Sequence, residues 1–199
     1  SNAPNSLAVS HAHVYWTLGK QLHRVTKAGT DHTVVATSER YSRALASFGE
    51  HVFWAVDNAL LRVAADGSTT AIATGRMLQV VTDGQRVAWL EEAASGGVRS
   101  VRTMPVSGGE ITTAIDDEAI RQIALDGRAL YVATAQQLLR SDAPGTQPTV
   151  IGNDAGRIQR IGSDGVWVHW LSLDGTLNAV ASAGGAARQV ASELDAHDD

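Results

Sequence analysis

The sequence predicts an all-β chain, built as five copies of a four-stranded unit around one axis. Three observations predict it. A hydrophobic-x-aromatic step recurs, its third positions at 16, 54, 89, 132 and 170, spaced about 40 residues apart. Each step sits among three further runs rich in Val, Ile, Thr and aromatics, too short for stable helices. Asp-Gly, Gly-Gly and Pro-Gly pairs fall between the runs, where tight hairpins need them.

The first run of each copy is a short apolar stretch: Leu7 to Ser10, Ala44 to Ser47, Leu78 to Asp83, Gln122 to Asp126 and Gln159 to Asp164. The second carries the step itself: Val14-Tyr15-Trp16, Val52-Phe53-Trp54, Val87-Ala88-Trp89, Leu130-Tyr131-Val132 and Val168-His169-Trp170. The third includes Leu22 to Val25, Leu60 to Val63, Ser100 to Arg102, Leu138 to Arg140 and Leu177 to Val180. The fourth includes Val34 to Ala36, Ala71 to Ala73, Ile111 to Ile115, Thr149 to Ile151 and Gln189 to Ala191. Asp83-Gly84, Asp126-Gly127 and Asp164-Gly165 turn the first run into the second. Asp66-Gly67, Gly108-Gly109, Pro144-Gly145 and Gly184-Gly185 turn the third into the fourth.

One such meander cannot bury both its faces. Stacking meanders radially does so, which makes the architecture a β-propeller of five blades of four antiparallel strands. Consecutive apolar residues such as Val52, Phe53 and Trp54 fit a sheet covered on both sides. Trp16, Trp54, Trp89 and Trp170 recur at one structural position, so packing between blades is their expected role. The expected blades cover 6–38, 44–75, 78–116, 121–154 and 159–193 of one domain, 4–199. Ser1-Asn2-Ala3 resembles a scar left by tag cleavage and is set aside. Copy one begins with its own first strand and copy five ends with its fourth, so no strand exchange locks a ring. Five blades of a larger propeller is the alternative architecture.

The pattern D-G-x-x-V-Y-W, then L-x-R-V, then G-G and an apolar strand, resembles the repeats of bacterial TolB-like and NHL-like β-propellers. The resemblance runs from Leu7 to Glu193 and implies the fold rather than an activity. Copy four departs from it with Val132 and copy one with Ser10-His11.

Composition narrows the function. The 199 residues carry a net charge of -5, which disfavours a nucleic-acid partner. No cysteine is present, which excludes disulfides and thiolate chemistry. No apolar run is long enough to span a membrane. A periplasmic or extracellular location is expected, with a native leader trimmed away.

In a propeller the blade-to-blade connections and the turns between second and third strands share one face. That face holds the longer, more charged loops. Arg40, Tyr41, Arg76, Asp117 and Arg157 are the expected ligand-binding residues there, with Arg43, Lys20, Asp57, Glu91, Glu92 and Asp174 nearby. A non-enzymatic binding or scaffold role follows, with a protein or carbohydrate partner, no cofactor, and an oligomer possible. The enzymatic alternative is a glycoside hydrolase or lyase using loop carboxylates, which needs two carboxyls about 5–10 Å apart across one cleft. His11-Ala12-His13 projects two imidazoles to one side of a strand, with no third metal ligand indicated. No phosphate-binding loop or nucleophile elbow occurs.

Overall fold

The computed structural model describes residues 4–117, 119–153 and 158–192. Twenty strands form five four-stranded antiparallel sheets, each in simple sequential order. Blade 1 is β1 (Ser6–Val9), β2 (His13–Leu18), β3 (Gln21–Thr26) and β4 (Thr33–Thr37). Blade 2 is β5 (Ser42–Phe48), β6 (His51–Val56), β7 (Ala59–Val63) and β8 (Thr69–Thr74). Blade 3 is β9 (Arg76–Thr82), β10 (Arg86–Glu92), β11 (Arg99–Pro105) and β12 (Thr112–Asp116). Blade 4 is β13 (Gln122–Leu125), β14 (Leu130–Ala133), β15 (Gln137–Ser141) and β16 (Thr149–Asn153). Blade 5 is β17 (Ile158–Ser163), β18 (Trp167–Ser172), β19 (Leu177–Ala181) and β20 (Arg188–Ala191). The all-β class and the five meanders read from the sequence are therefore present. No helix is long and apolar enough to cross a membrane.

The aromatic step of the second strand faces two ways, because successive strand residues point to opposite sides. The third residue of the step points back at the preceding blade, and the middle one points forward. Trp54 packs with Tyr15 and Leu22 of blade 1, and Trp89 with Phe53 and Leu60 of blade 2. Val132 packs with Ala88 and Leu90 of blade 3, and Trp170 with Tyr131 and Leu138 of blade 4. Cores thus lie between blades, one per junction from blade 1 to blade 5.

Polar staples cross the same junctions. Arg62 Nη2 donates to the Val106 carbonyl at 2.5 Å, and Arg140 Nη1 to that of Ser182 at 2.8 Å. Gln79 donates to the Ile123 carbonyl at 2.8 Å and accepts from its N–H at 2.9 Å.

Trp16 departs from the expected role. It lies on blade 1's backward face, half-buried and outside every core cluster. It stacks instead on the rings of His23 and His32, at 5.3 and 5.1 Å. The hairpin turns also differ in one respect. Gly84 and Gly165 take positive φ as expected, but Gly127 does not. What all three share is the aspartate: Asp83, Asp126 and Asp164 each accept two backbone N–H bonds at 2.7–2.9 Å.

Candidate functional site

The first strands surround a central channel, as the radial arrangement requires. Small residues line its turn-face half: Ala8, Ala46, Ala124 and Gly162. The opposite half opens on the loop face as a cavity of about 580 Å³. Its wall carries Arg43, Arg99, Arg121 and Arg160, with Gln79 and Gln122 between them.

Strand geometry explains the cluster. Arg43 and Arg121 each stand two residues before the residue that pairs with the aromatic-step position, Leu45 opposite Trp54 and Ile123 opposite Val132. Both therefore mark where a first strand leaves the loop face. In blade 5 a register irregularity between Ile158 and Arg160 brings Arg160 one residue nearer Ile161. Arg99 enters from the start of a third strand, at the same end.

These guanidiniums are unevenly compensated. Arg43 Nε meets Asp57 Oδ1 at 2.6 Å. Arg99 donates to the Ile120 carbonyl at 2.6 Å and lies 3.9 Å from Glu92, which is engaged by Arg76. Among the described residues Arg121 and Arg160 have no carboxylate partner, and Arg160 donates only to the Gln159 carbonyl. Unspent planar donors grouped at a channel mouth suit an anionic group such as a carboxylate, sulfate or phosphate.

The residues expected from the sequence fall elsewhere on this face. Arg40 and exposed Tyr41 lie on the connection between blades 1 and 2, with the Lys20 ammonium 5.5 Å from the Tyr41 ring centre. Arg76 is a strand residue, the first of β9, and pairs with Glu92. Asp117 accepts from the Ala119 N–H at 2.7 Å, closing a turn. None of these four lines the channel mouth. Arg157 lies outside the described residues. Arg43, placed in a loop by the sequence reading, belongs to β5. Arg99, Arg121 and Arg160 were missed, although the spacing of Arg121 from its aromatic-step partner repeats that of Arg43.

The carboxylates named for hydrolysis are engaged locally: Asp57 and Glu92 meet the channel-wall guanidiniums of Arg43 and Arg99. Glu91 accepts from Trp89 Nε1 at 3.0 Å and Arg102 Nε at 2.8 Å. Asp174 accepts from the N–H and hydroxyl of Thr176, which hold its carboxyl below its ordinary value. A further cavity of about 330 Å³, between blades 1 and 2, is lined by His11, His13, Tyr15, Arg24, Glu50 and Val52. Its walls are mainly apolar.

Asp126 and Tyr131 mark the junction of blades 4 and 5. Burial works to raise Asp126, but hydrogen bonds from Ser163 Oγ and the Ala129 and Arg128 amides outweigh it and hold the carboxyl low. Burial and the adjacent Asp126 charge raise the Tyr131 hydroxyl.

No family model matches the chain, and no curated protein matches it. Solved structures do. Nidogen, in its complex with laminin, superposes with a TM-score of 0.72 at 16% identity, covering 92% of this chain and 77% of that one. PorZ of Porphyromonas gingivalis, a surface component of the type-IX secretion system, gives 0.72 at 14%, covering 96% and 28%. A gluconolactonase from Xanthomonas campestris gives 0.68 at 14%, covering 97% and 77%. At such identities the likeness establishes the β-propeller fold.

Proposed function

We propose that this chain is a non-enzymatic binding module of an exported bacterial protein of the TolB-like or NHL-like kind. Residues 4–199 form a single domain whose loop face recognises an anionic protein segment or acidic carbohydrate. One observation carries the reading: among the described residues Arg121 and Arg160 stand without carboxylate partners beside Arg43 and Arg99, in a chain of net charge -5. A local basic mouth on an acidic protein steers and orients an anion. Arg40, Tyr41 and Arg76 extend the contact surface around it, and Arg157 is proposed with them.

The structural neighbours include a protein solved with a protein partner and a lactonase, so the fold alone decides nothing about activity. The cavities favour binding over glycoside hydrolysis. None of the five main cavities among the described residues holds more than one carboxylate, and a two-carboxylate mechanism needs a facing pair. A periplasmic or extracellular location belongs to the same proposal.

The test is direct binding to polyglutamate and polygalacturonate, with neutral dextran as control. Binding of one polyanion, weakened at least about tenfold by Arg121→Glu with Arg160→Glu and by raised salt, is the expected result. Equal binding by parent and variant would remove the reading.

A further inference from the structure

The blade junctions stop at blade 5. Among the described residues no core cluster, hydrogen bond or ion pair joins blade 5 to blade 1. The inner strands β1 and β17 do not pack together as the other neighbouring inner strands do.

Both sides of this gap carry faces that are buried everywhere else. The backward-facing row of blade 1 is Leu7, Trp16, His23 and Val34, aligned across four strands. At the Leu7 position, Leu45, Val80 and Ile123 of blades 2–4 are 8%, 4% and 0% exposed, whereas Leu7 is 67% exposed. Val9 and Val34 are also exposed, and the buried His23 Nε2 has no hydrogen-bond partner. The forward face of blade 5 behaves in the same way. His169, Leu171 and Leu177 are half-exposed, while their counterparts Phe53, Ala55 and Leu60 of blade 2 are fully buried. Ala179 occupies the place from which Arg62 and Arg140 reach the next blade.

We propose that the wedge between blades 5 and 1 is a socket for one further four-stranded antiparallel blade of complementary chemistry. The argument is continuity with the established junctions. Blade 1 presents the receiving surface that blades 2–5 present, and among the described residues no other blade packs on the forward surface of blade 5. The partner blade must turn a Phe or Tyr toward Leu7 and Trp16, as Tyr15, Phe53 and Tyr131 do toward their successors. Its other face must set a Trp or branched aliphatic residue against His169, Leu171 and Leu177. One blade covers both sides.

The socket adjoins the channel mouth, since Leu7 lines the same cavity as Arg160, and it is tested separately. The probe is the full chain carrying a second copy of residues 40–75, appended after Asp199. Blade 2 is chosen because both of its faces are buried. The expected result is a monomer with Tm raised by at least about 5 °C and several-fold less binding of the neutral dye Nile red. Phe53→Asp with Trp54→Asp in the added copy abolishes both changes. In the unextended chain Leu7→Asp leaves Tm within about 2 °C, while Leu45→Asp lowers it by more than about 10 °C. The proposal is overturned if both added copies behave alike, or if Leu7→Asp is as costly as Leu45→Asp. It is also overturned if the unextended chain is a dimer that Trp16→Asp dissociates, since a second copy then fills the gap.

Discussion

Trp54 and Trp16 occupy one position in the repeat, and removing each in turn weighs a covered blade face against an uncovered one. Trp54 is fully buried between blades 1 and 2, and its Nε1 donates to the Ser42 hydroxyl at 2.6 Å. Truncating a buried tryptophan to alanine costs about 3–5 kcal/mol. Leaving the buried Ser42 hydroxyl without that donor adds about 1 kcal/mol. Trp16 is half-buried, lies outside the inter-blade core clusters, and loses mainly its stacking on His23 and His32. That loss is about 1–2 kcal/mol. In a domain of this size 1 kcal/mol moves Tm by about 2–4 °C, so Trp54→Ala lowers it by about 8–24 °C and Trp16→Ala by about 2–8 °C. Urea unfolding followed by far-UV circular dichroism gives the same comparison as free energies. Equal losses at the two positions would mean that blade 1's backward face is covered like the rest, and the reasoning from open faces would fail.

Gly67 stands at φ +85°, and a Cβ there would sit 2.2 Å from the Val35 carbonyl oxygen across the blade 1–2 junction. Gly67→Ala costs about 2–4 kcal/mol in urea unfolding. Gly49→Ala, at φ +57° with open space around it, costs about 1–2 kcal/mol. Gln79→Ala removes both bonds to Ile123 and costs about 1–2 kcal/mol, measured the same way. Asp126 is held below the ordinary carboxylate value of 3.8, so the unfolded chain takes up its proton first as pH falls. Stability is complete above about pH 4 and declines below it; Asp126→Asn makes the decline of Tm between pH 5 and 2.5 shallower. For His23, burial and then the neighbouring His32 lower the imidazole from 6.5. Its contribution is present above pH 6.5 and lost below, and His23→Phe flattens Tm across pH 7 to 5.

The strands were legible because their signals are local and repeated. The recurring step among short apolar runs reports a second strand in each of five copies, and in three of them an Asp-Gly turn precedes it. The turns were half legible. Asp-Gly suggested glycine's freedom at positive φ, yet Gly127 does without it and the aspartate carboxylate caps all three turns. The loop face was legible as a region but not as a site. Charged loop residues such as Arg76 and Asp117 are used locally, on Glu92 and on a turn amide. The converging arginines sit on strand ends, where the repeat alignment places Arg121 in the position of Arg43.

Periodicity is silent about whether the last copy meets the first, because that depends on the angle each junction imposes and no residue encodes it alone. The terminal copies nevertheless carry substitutions that only a different surrounding explains. His23 stands where blades 2 and 4 have Leu61 and Leu139, and His169 where blades 1, 2 and 4 have Tyr15, Phe53 and Tyr131. The half-exposed His169 keeps water on one side, which a closed junction would forbid without a partner for each ring nitrogen, while His23 is buried in its stack with Trp16 and His32. Leu7 and Val34, by contrast, remain apolar at the same face, and large exposed apolar neighbours are what a docking surface retains. The two ends of the repeat are therefore neither solvent caps nor a junction of the kind found inside the chain. They are faces that a further blade of the same kind would cover.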